Sequence, residues 1–159
     1  MRVLVTGGTG FLGKRLSKIR PDWNYVSSSD YDLTEPKSCK KMYEDLRPDA
    51  VIHLAAKVGG IKENKEKQAD FYYQNNMINT NVIHEAYKFG VKRVLSALST
   101  CAFPNIMINY PFTEKDILSG PPADSNLSYG FTKRGLFIQS TSYRDQYGLN
   151  YSCFCPSNI

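Results

Sequence analysis

Met1-Arg-Val-Leu-Val-Thr-Gly-Gly-Thr-Gly-Phe-Leu-Gly13 opens the chain, and the reading of the fold turns on it. Val3-Leu4-Val5 is an apolar run of the kind that forms a strand buried on both faces. A glycine-rich turn follows, and Lys14-Arg-Leu-Ser-Lys-Ile19 then reads as helix. Gly8, Gly10 and Gly13 satisfy G-x-G-x-x-G, and Gly7, Gly10 and Gly13 satisfy the related G-x-x-G-x-x-G. Both spacings answer one physical need. One glycine permits a tight turn, one lets a pyrophosphate approach the backbone, and one lets the helix pack closely on the strand. The helix N-terminus adds free N–H donors and the positive end of its dipole. Placed between a buried strand and a helix, the turn predicts a dinucleotide site.

Working outward, Trp23-Asn-Tyr-Val-Ser27 reads as a second strand after the break at Pro21-Asp22. Its end is where such a fold reads the adenosine ribose. An acidic side chain there bonds the 2′-hydroxyl and selects NAD, whereas small polar groups admit a 2′-phosphate and select NADP. Ser27, Ser28 and Ser29 hold the strand end and favour NADP; Asp30 and Asp32 follow and read as turn caps, with Asp32-Leu33 also in reach of adenine. Thr34-Glu-Pro36 starts a helix with Thr34 as N-cap, running through Met42, Tyr43 and Leu46 and stopping before Pro48. Ala50-Val-Ile-His-Leu54 is a third buried strand, with His53 read as a satisfied core histidine. Leu54 closes it, and Ala55-Ala56 keeps side chains small where backbone would run against a cofactor. Val58-Gly59-Gly60-Ile61 reads as a flexible loop, and Lys62-Glu-Asn-Lys-Glu-Lys67 as a solvated loop face of mixed sign.

Asp70 to Phe89 reads as a long helix with Phe71, Ile78, Val82, Ala86 and Phe89 on one face. Tyr73, Met77 and His84 make a second, partly apolar face, open to two readings: a contact with a second copy, or packing on the chain's own sheet. Gly90 ends the helix. Val91 to Ser96 gives a fourth strand, and Ala97-Leu-Ser-Thr-Cys-Ala-Phe-Pro104 leaves its end. After a loop with Pro111, Pro121 and Pro122, Tyr129 to Tyr147 is a second long helix, closed by Gly148. Tyr151 to Cys155 is a last strand, running into Pro156-Ser-Asn-Ile159. Strand and helix alternate throughout, which means right-handed crossovers and an α/β, doubly wound parallel sheet, a Rossmann fold, in one domain over residues 1–159.

Bulk properties set the limits. Apolar content of 42% and charge of 22% place the chain among soluble globular proteins. The net charge of +5 comes from scattered lysines, so no nucleic-acid partner is expected. No apolar run reaches the ~18 residues of a membrane span, and no signal peptide is read at the N-terminus. Cys39, Cys101, Cys153 and Cys155 lack framework spacing, and with only two histidines no metal site is expected. A reducing, cytoplasmic setting fits this cysteine usage.

The chemistry sits in two places. Tyr129 and Lys133 are four apart on a helix and share a face. A nearby ammonium favours the tyrosinate and is expected to lower the phenol pKa toward neutrality, making Tyr129 a general acid or base for carbonyl–alcohol conversion. The lysine can also hold a cofactor ribose. Ser99 and Thr100 leave the end of a parallel strand, where open α/β sheets place ligands, and a hydroxyl there can bond the reacting oxygen. Cys101 follows them, and by itself reads as a small buried residue at the strand end.

Thr6-Gly-Gly-Thr-Gly-Phe-Leu-Gly13, His53-Leu-Ala-Ala56, Ser99-Thr-Cys101 and Tyr129-Gly-Phe-Thr-Lys133 together resemble the extended short-chain dehydrogenase/reductase family. Val51 to Gly60, Leu98 to Pro104, Asn109-Tyr-Pro111, Ser125 to Tyr129, Lys133-Arg134 and Tyr143-Arg-Asp-Gln-Tyr-Gly148 sharpen this to a resemblance to the GDP-L-fucose synthases. Those enzymes convert GDP-4-keto-6-deoxy-D-mannose to GDP-L-fucose by 3,5-epimerisation and NADPH-dependent reduction. The resemblance implies that Tyr129 protonates the 4-keto oxygen, Lys133 tunes it and binds the nicotinamide ribose, Ser99 positions the ketone, and Cys101 is the epimerisation base. It implies a cofactor lining of Gly7, Gly10, Phe11, Leu12, Ser28, Asp32, Leu33, Leu54, Ala55, Ala56 and Val58, with Pro156 and Asn158 bordering the nicotinamide and sugar. It implies a nucleotide-sugar substrate and a homodimer through helices 70–89 and 129–147. It also implies a smaller C-terminal domain that grips GDP and carries a histidine acid. Neither His53 nor His84 fits that acid, so the substrate domain is expected to be largely absent from these residues and the chain truncated. Two other readings are another nucleotide-sugar epimerase or dehydratase, and a non-catalytic nucleotide-binding module. Dehydratases carry acidic residues after the threonine, where Cys101-Ala102 stands here; the intact Ser99, Tyr129 and Lys133 oppose the module.

Overall fold

The computed structural model describes residues 1–106 and 111–156. Strands β1 (Val3–Thr6), β2 (Asn24–Val26), β3 (Ala50–His53), β4 (Arg93–Ala97) and β5 (Asn150–Phe154) form one parallel sheet in the order β2-β1-β3-β4-β5. The helices are α1 (Phe11–Ile19), α2 (Pro36–Leu46), α3 (Ile61–Glu66), α4 (Gln68–Lys88) and α5 (Leu127–Tyr147). Right-handed crossovers put α1 on one face and α2, α4 and α5 on the other. On that second face α2 packs on α4, and α4 on α5. The direction of strand order reverses beside β1, which opens a crevice at the carboxyl ends of β1 and β3.

The register explains why the core sits where it does. Leu4, Val51, Val94 and Tyr151 are partners across four strands and are all buried. The Tyr151 hydroxyl donates to Val91 O at 3.0 Å and that of Tyr43 to Val82 O at 2.9 Å, so both buried phenols are satisfied. Two residues further along, on the same face, the next row is polar: Thr6, His53, Ser96 and Cys153.

His53 is the core histidine that the sequence predicts. Its Nδ1 lies 2.8 Å from Thr6 Oγ1 and its Nε2 3.2 Å from Asn79 Oδ1. Thr6 Oγ1 also accepts the Ala55 N–H at 3.3 Å, and Asn79 Nδ2 donates to Thr132 O at 3.2 Å. Together these set the proton positions: Thr6 donates to Nδ1, and Nε2–H donates to Asn79.

Several expectations need correction. α1 begins at Phe11 rather than Lys14, because the turn closes directly onto helix at Gly10. Glu35, not Thr34, is the N-cap of α2; Thr34 instead donates its hydroxyl to Asp32 Oδ1 at 2.6 Å. The stretch read as loop after Gly60 forms α3, held by the i,i+4 pairs Lys62–Glu66 and Lys67–Glu63. α4 and α5 each start two residues earlier than read. Gly90 does adopt the left-handed conformation (φ 73°) that closes α4, and Gly148 (φ 65°) closes α5.

Burial lowers the His53 pKa from about 6.5 to about 4, assisted by the Lys133 charge. A depressed histidine stabilises the fold fully above its unfolded pKa and loses that contribution as pH falls through the folded value. Unfolding free energy from urea titration should therefore drop by about 2–3 kcal/mol between about pH 7 and pH 4 beyond any carboxylate contribution. His53→Gln, which cannot titrate there, should remove that extra drop; an identical slope in the variant would assign the effect elsewhere.

Candidate active site

The crevice is a cleft of about 1090 Å³ that runs from the glycine turn, across the ends of β2 and β3, to the end of β4. At the turn the glycines are required by contact. A Cβ on Gly13 would lie 2.5 Å from Gly7 O and 2.6 Å from Gly8 Cα, so only glycine lets α1 seat on the turn. Gly7 adopts φ 74° and would place a Cβ 2.8 Å from Ala55 N. Lys14 N–H is the first in α1 to bond back, to Gly10 O at 2.9 Å. The N–H groups of Phe11, Leu12 and Gly13 thus lack helical acceptors, and no acidic residue sits in the first turn. This cradle of small backbone and free donors fits a dinucleotide pyrophosphate.

At the adenosine end, Ser27, Ser28, Asp32, Leu33 and Thr34 line the cleft. Asp30 does not. Its carboxylate accepts the Ser27 N–H at 2.8 Å and the Ser27 hydroxyl at 2.7 Å, which holds its pKa below the usual carboxylate range. Asp32 Oδ1 is likewise engaged by the Thr34 N–H and hydroxyl. Both aspartates are turn caps, as the sequence suggests, and Ser28 is left facing the cleft.

Along the floor, Leu54, Ala55, Ala56, Lys57 and Val58 follow β3. Their path is set by Asn75, a buried side chain on α4. Its Oδ1 accepts the Lys57 N–H at 2.9 Å, and its Nδ2 donates to Lys57 O at 3.0 Å and Phe71 O at 2.8 Å. Sequence reading missed Asn75; the signal was a polar residue four after Phe71, on the apolar face of the helix.

At the far end, Ser99, Thr100, Tyr129 and Pro156 line the same cleft. Ser99 Oγ accepts the Cys101 N–H at 3.3 Å, which leaves its hydroxyl proton free to donate. Thr100–Ala102 form one 3-10 turn, with Cys101 partly buried. Lys133 is 3% exposed and lies beneath the cleft wall, its Nζ donating to Ala97 O at 2.7 Å and standing 5.7 Å from the Tyr129 ring centroid. Burial lowers the Lys133 pKa to about 8. Burial also raises the Tyr129 pKa to about 12, with the Cys101 sulfur adding to the rise. This reverses the expected lowering: the ammonium is spent on a carbonyl, and desolvation of the phenolate wins.

Of the residues singled out from sequence, Gly7, Gly10, Phe11, Leu12, Ser28, Asp32, Leu33, Leu54, Ala55, Ala56, Val58, Ser99, Tyr129 and Pro156 all line the cleft. Cys101 and Lys133 stand just behind it. Asn158, and Asn109 and Tyr110 of the Asn-Tyr-Pro motif, lie outside the described residues. Tyr73, Gln74 and Ile78 of α4 are added to the lining. No cluster with metal-ligand chemistry occurs among the described residues.

Comparison with known proteins places the chain in a family. A family model described as the NAD dependent epimerase/dehydratase family matches residues 3–159. A probable GDP-L-fucose synthase of Drosophila melanogaster is 39% identical over 99% of the chain, covering 51% of that protein. The GDP-L-fucose synthase of Dictyostelium discoideum is 38% identical over 99% of the chain, again 51% of its own length. The NADP-bound GDP-L-fucose synthetase structure from Naegleria fowleri has a TM-score of 0.82 at 38% identity, covering 98% of this chain and 51% of that one. The chain spans about half the length of the curated relatives it matches. A pyrophosphate cradle on β1, a Ser-Tyr-Lys set around the end of β4 and the match over residues 3–159 lead to one conclusion: the chain belongs to the NAD dependent epimerase/dehydratase family.

Proposed function

We propose that these residues form the cofactor-binding domain of an NADPH-dependent 3,5-epimerase/4-reductase that makes GDP-L-fucose from GDP-4-keto-6-deoxy-D-mannose. The observation that carries this is the pairing, at one end of one cleft, of a protonated tyrosine and a serine donor with Cys101 two residues beyond the serine. The relatives named GDP-L-fucose synthase, and the NADP-bound neighbour among them, support the substrate and cofactor. NADPH, when bound, supplies the hydride. Ser99 donates a hydrogen bond to the C4 oxygen and fixes the ketone. Tyr129, whose phenol stays protonated at neutral pH, gives its proton to that oxygen as charge develops there. The Lys133 ammonium supplies positive charge beneath the tyrosine. Before reduction, the Cys101 thiolate removes the proton at C3 or C5, which the C4 ketone acidifies, and the carbon is reprotonated on the opposite face. The acid for that step is not among the described histidines. His53 is locked in the core, and His84 bonds the Tyr143 hydroxyl at 2.6 Å on the α4–α5 surface.

The same reading extends to assembly. α4 and α5 pack side by side and present Tyr72, Phe131 and Ile138 to solvent. A homodimer across these two helices would cover them. The cysteines are all free thiols, which suits a cytoplasmic setting. Among the described residues no helix is long and apolar enough to cross a membrane.

Three outcomes are expected. Tyr129→Phe should cut hydride transfer from NADPH to the 4-keto sugar by at least about a hundredfold while deuterium exchange at C3 and C5 persists, and Cys101→Ala should do the reverse; if both variants retain both activities, the assignment is wrong. NADP should bind about tenfold or more tightly than NAD by equilibrium fluorescence, given the capped aspartates and open Ser28; tighter NAD would overturn the cofactor choice. Sedimentation should show a dimer that Ile138→Glu disrupts, and a monomeric parent protein would refute the interface.

A further inference from the structure

Arg134 is a buried cation on α5. It is 5% exposed, and among the described residues no carboxylate pairs with it. Its Nε donates to Ala102 O at 2.6 Å, its Nη2 is buried with no hydrogen-bond partner among the described residues, and its Cζ stands 5.4 Å from the Phe131 ring centroid. Burying an unpaired guanidinium is costly, and a methionine of similar reach would fill the space more cheaply. Stability therefore does not explain this residue, and its one strong bond shows what it does instead.

The bond falls on the turn that carries Cys101. One helical turn earlier, Gly130 meets the same segment: a Cβ there would lie 2.5 Å from Cys101 O and 2.8 Å from Pro122 Cβ. Thus α5 holds two successive carbonyls of the Thr100–Ala102 turn, one by close approach and one by a charge-assisted hydrogen bond. Gly130 and Arg134 each sit one residue after Tyr129 and Lys133. They form a stripe rotated about 100° from that pair around the helix. One stripe faces the cleft, and the neighbouring stripe fixes the turn that brings Cys101 beside it.

We propose that Arg134 is a positioning residue, which locks the Ser99–Ala102 turn onto α5 and so sets Cys101 at a fixed place relative to Tyr129. Its chemistry rests on the epimerase/reductase reading; its geometry does not. The charge strengthens the bond to Ala102 O, and the burial of Arg134 and Ala102 limits competition from water for that carbonyl.

The four cysteines supply the test, because their exposures differ: Cys39 is buried, Cys101 and Cys153 are intermediate, and Cys155 is exposed. Iodoacetamide labelling of the intact chain, read peptide by peptide by mass spectrometry, gives each rate. In Arg134→Met the Cys101 rate, normalised to Cys155, should rise about fivefold or more as the turn is released, while Cys39 stays protected and NADPH affinity holds within about twofold. Gly130→Ala should give the same signature by pushing the turn away. Arg134→Lys, which keeps a cation able to reach Ala102 O, should restore at least half of the normal protection. Deuterium wash-in at C3 and C5 should fall about tenfold in Arg134→Met. An unchanged Cys101 rate, or a parallel rise at Cys39, would overturn the proposal. If Arg134→Met does not fold, Gly130→Ala and Arg134→Lys decide by the same comparison. A parent chain with no wash-in but the expected labelling pattern would remove the epimerase reading and leave the positioning role standing.

Discussion

The hydrogen-bonded run from Thr6 through His53 and Asn79 to the carbonyl of Thr132 is the constraint on which the site depends. Thr6 is the last residue of β1, directly before the glycine turn. Thr132 lies between Tyr129 and Lys133 on α5. The run therefore ties the strand that leads into the glycine turn to the helix that carries Tyr129 and Lys133, through β3 and α4. It has one consistent proton arrangement, and that arrangement requires neutral His53. Apolar packing alone would allow α5 to slide along the sheet, since Leu, Val and Ile contacts are forgiving of small shifts. Directional bonds in a buried setting are not, because each displaced member would leave an unsatisfied group. A polar row at the carboxyl ends of the strands thus costs some stability and returns a defined distance between the two halves of the site.

Much of this was readable in the sequence where physics is local. The glycine spacing, the buried strand before it and the i,i+4 relation of Tyr129 and Lys133 each rest on contacts within a few residues. The assignment of Asp30 and Asp32 as caps, and of His53 as core, followed from where they stand in their elements. The missed buried side chains share one cause, which is that a side chain's partner lies in another layer. Asn75, Asn79 and Asn81 look like solvated positions on a helix, yet each is buried and bonded to a distant backbone or side chain. Lys62 to Lys67 shows no apolar stripe, so its helix rests on ion pairs and on position rather than on amphipathic pattern. Spacing alone gives Arg134 no role, because nothing within four residues of it shows that its guanidinium turns inward.

The reversed pKa of Tyr129 illustrates the same limit at the level of chemistry. Sequence spacing brings an ammonium near a phenol, and attraction between opposite charges predicts an acidified tyrosine. The structure adds two facts that spacing cannot contain. The ammonium is bonded to Ala97 O and not to the phenol, and Lys133 is buried while Tyr129 is half-buried in the cleft wall. Desolvation opposes charge on either partner, so it raises the phenol and lowers the lysine at once. In Coulomb terms an attraction across roughly 5–6 Å at an intermediate dielectric amounts to a few kcal/mol, comparable to the desolvation of one buried group, so the balance is set by small differences in burial.

That balance also bears on which chemistry the site favours. A tyrosine kept protonated is a ready acid for a ketone receiving hydride and a poor base for taking a proton from carbon. Proton removal in the same cleft would then fall to a different kind of group, one that is ionisable nearer neutrality and held off the cofactor wall. In the proposed reaction that group is Cys101, a partly buried thiol on the 3-10 turn two residues after Ser99. On the proposed reading the acid and the base stand on two elements, a helix and the turn it grips. The price of that separation is that the two elements must not drift, and the contacts of Gly130 and Arg134 with successive carbonyls of the turn are placed where such drift would begin.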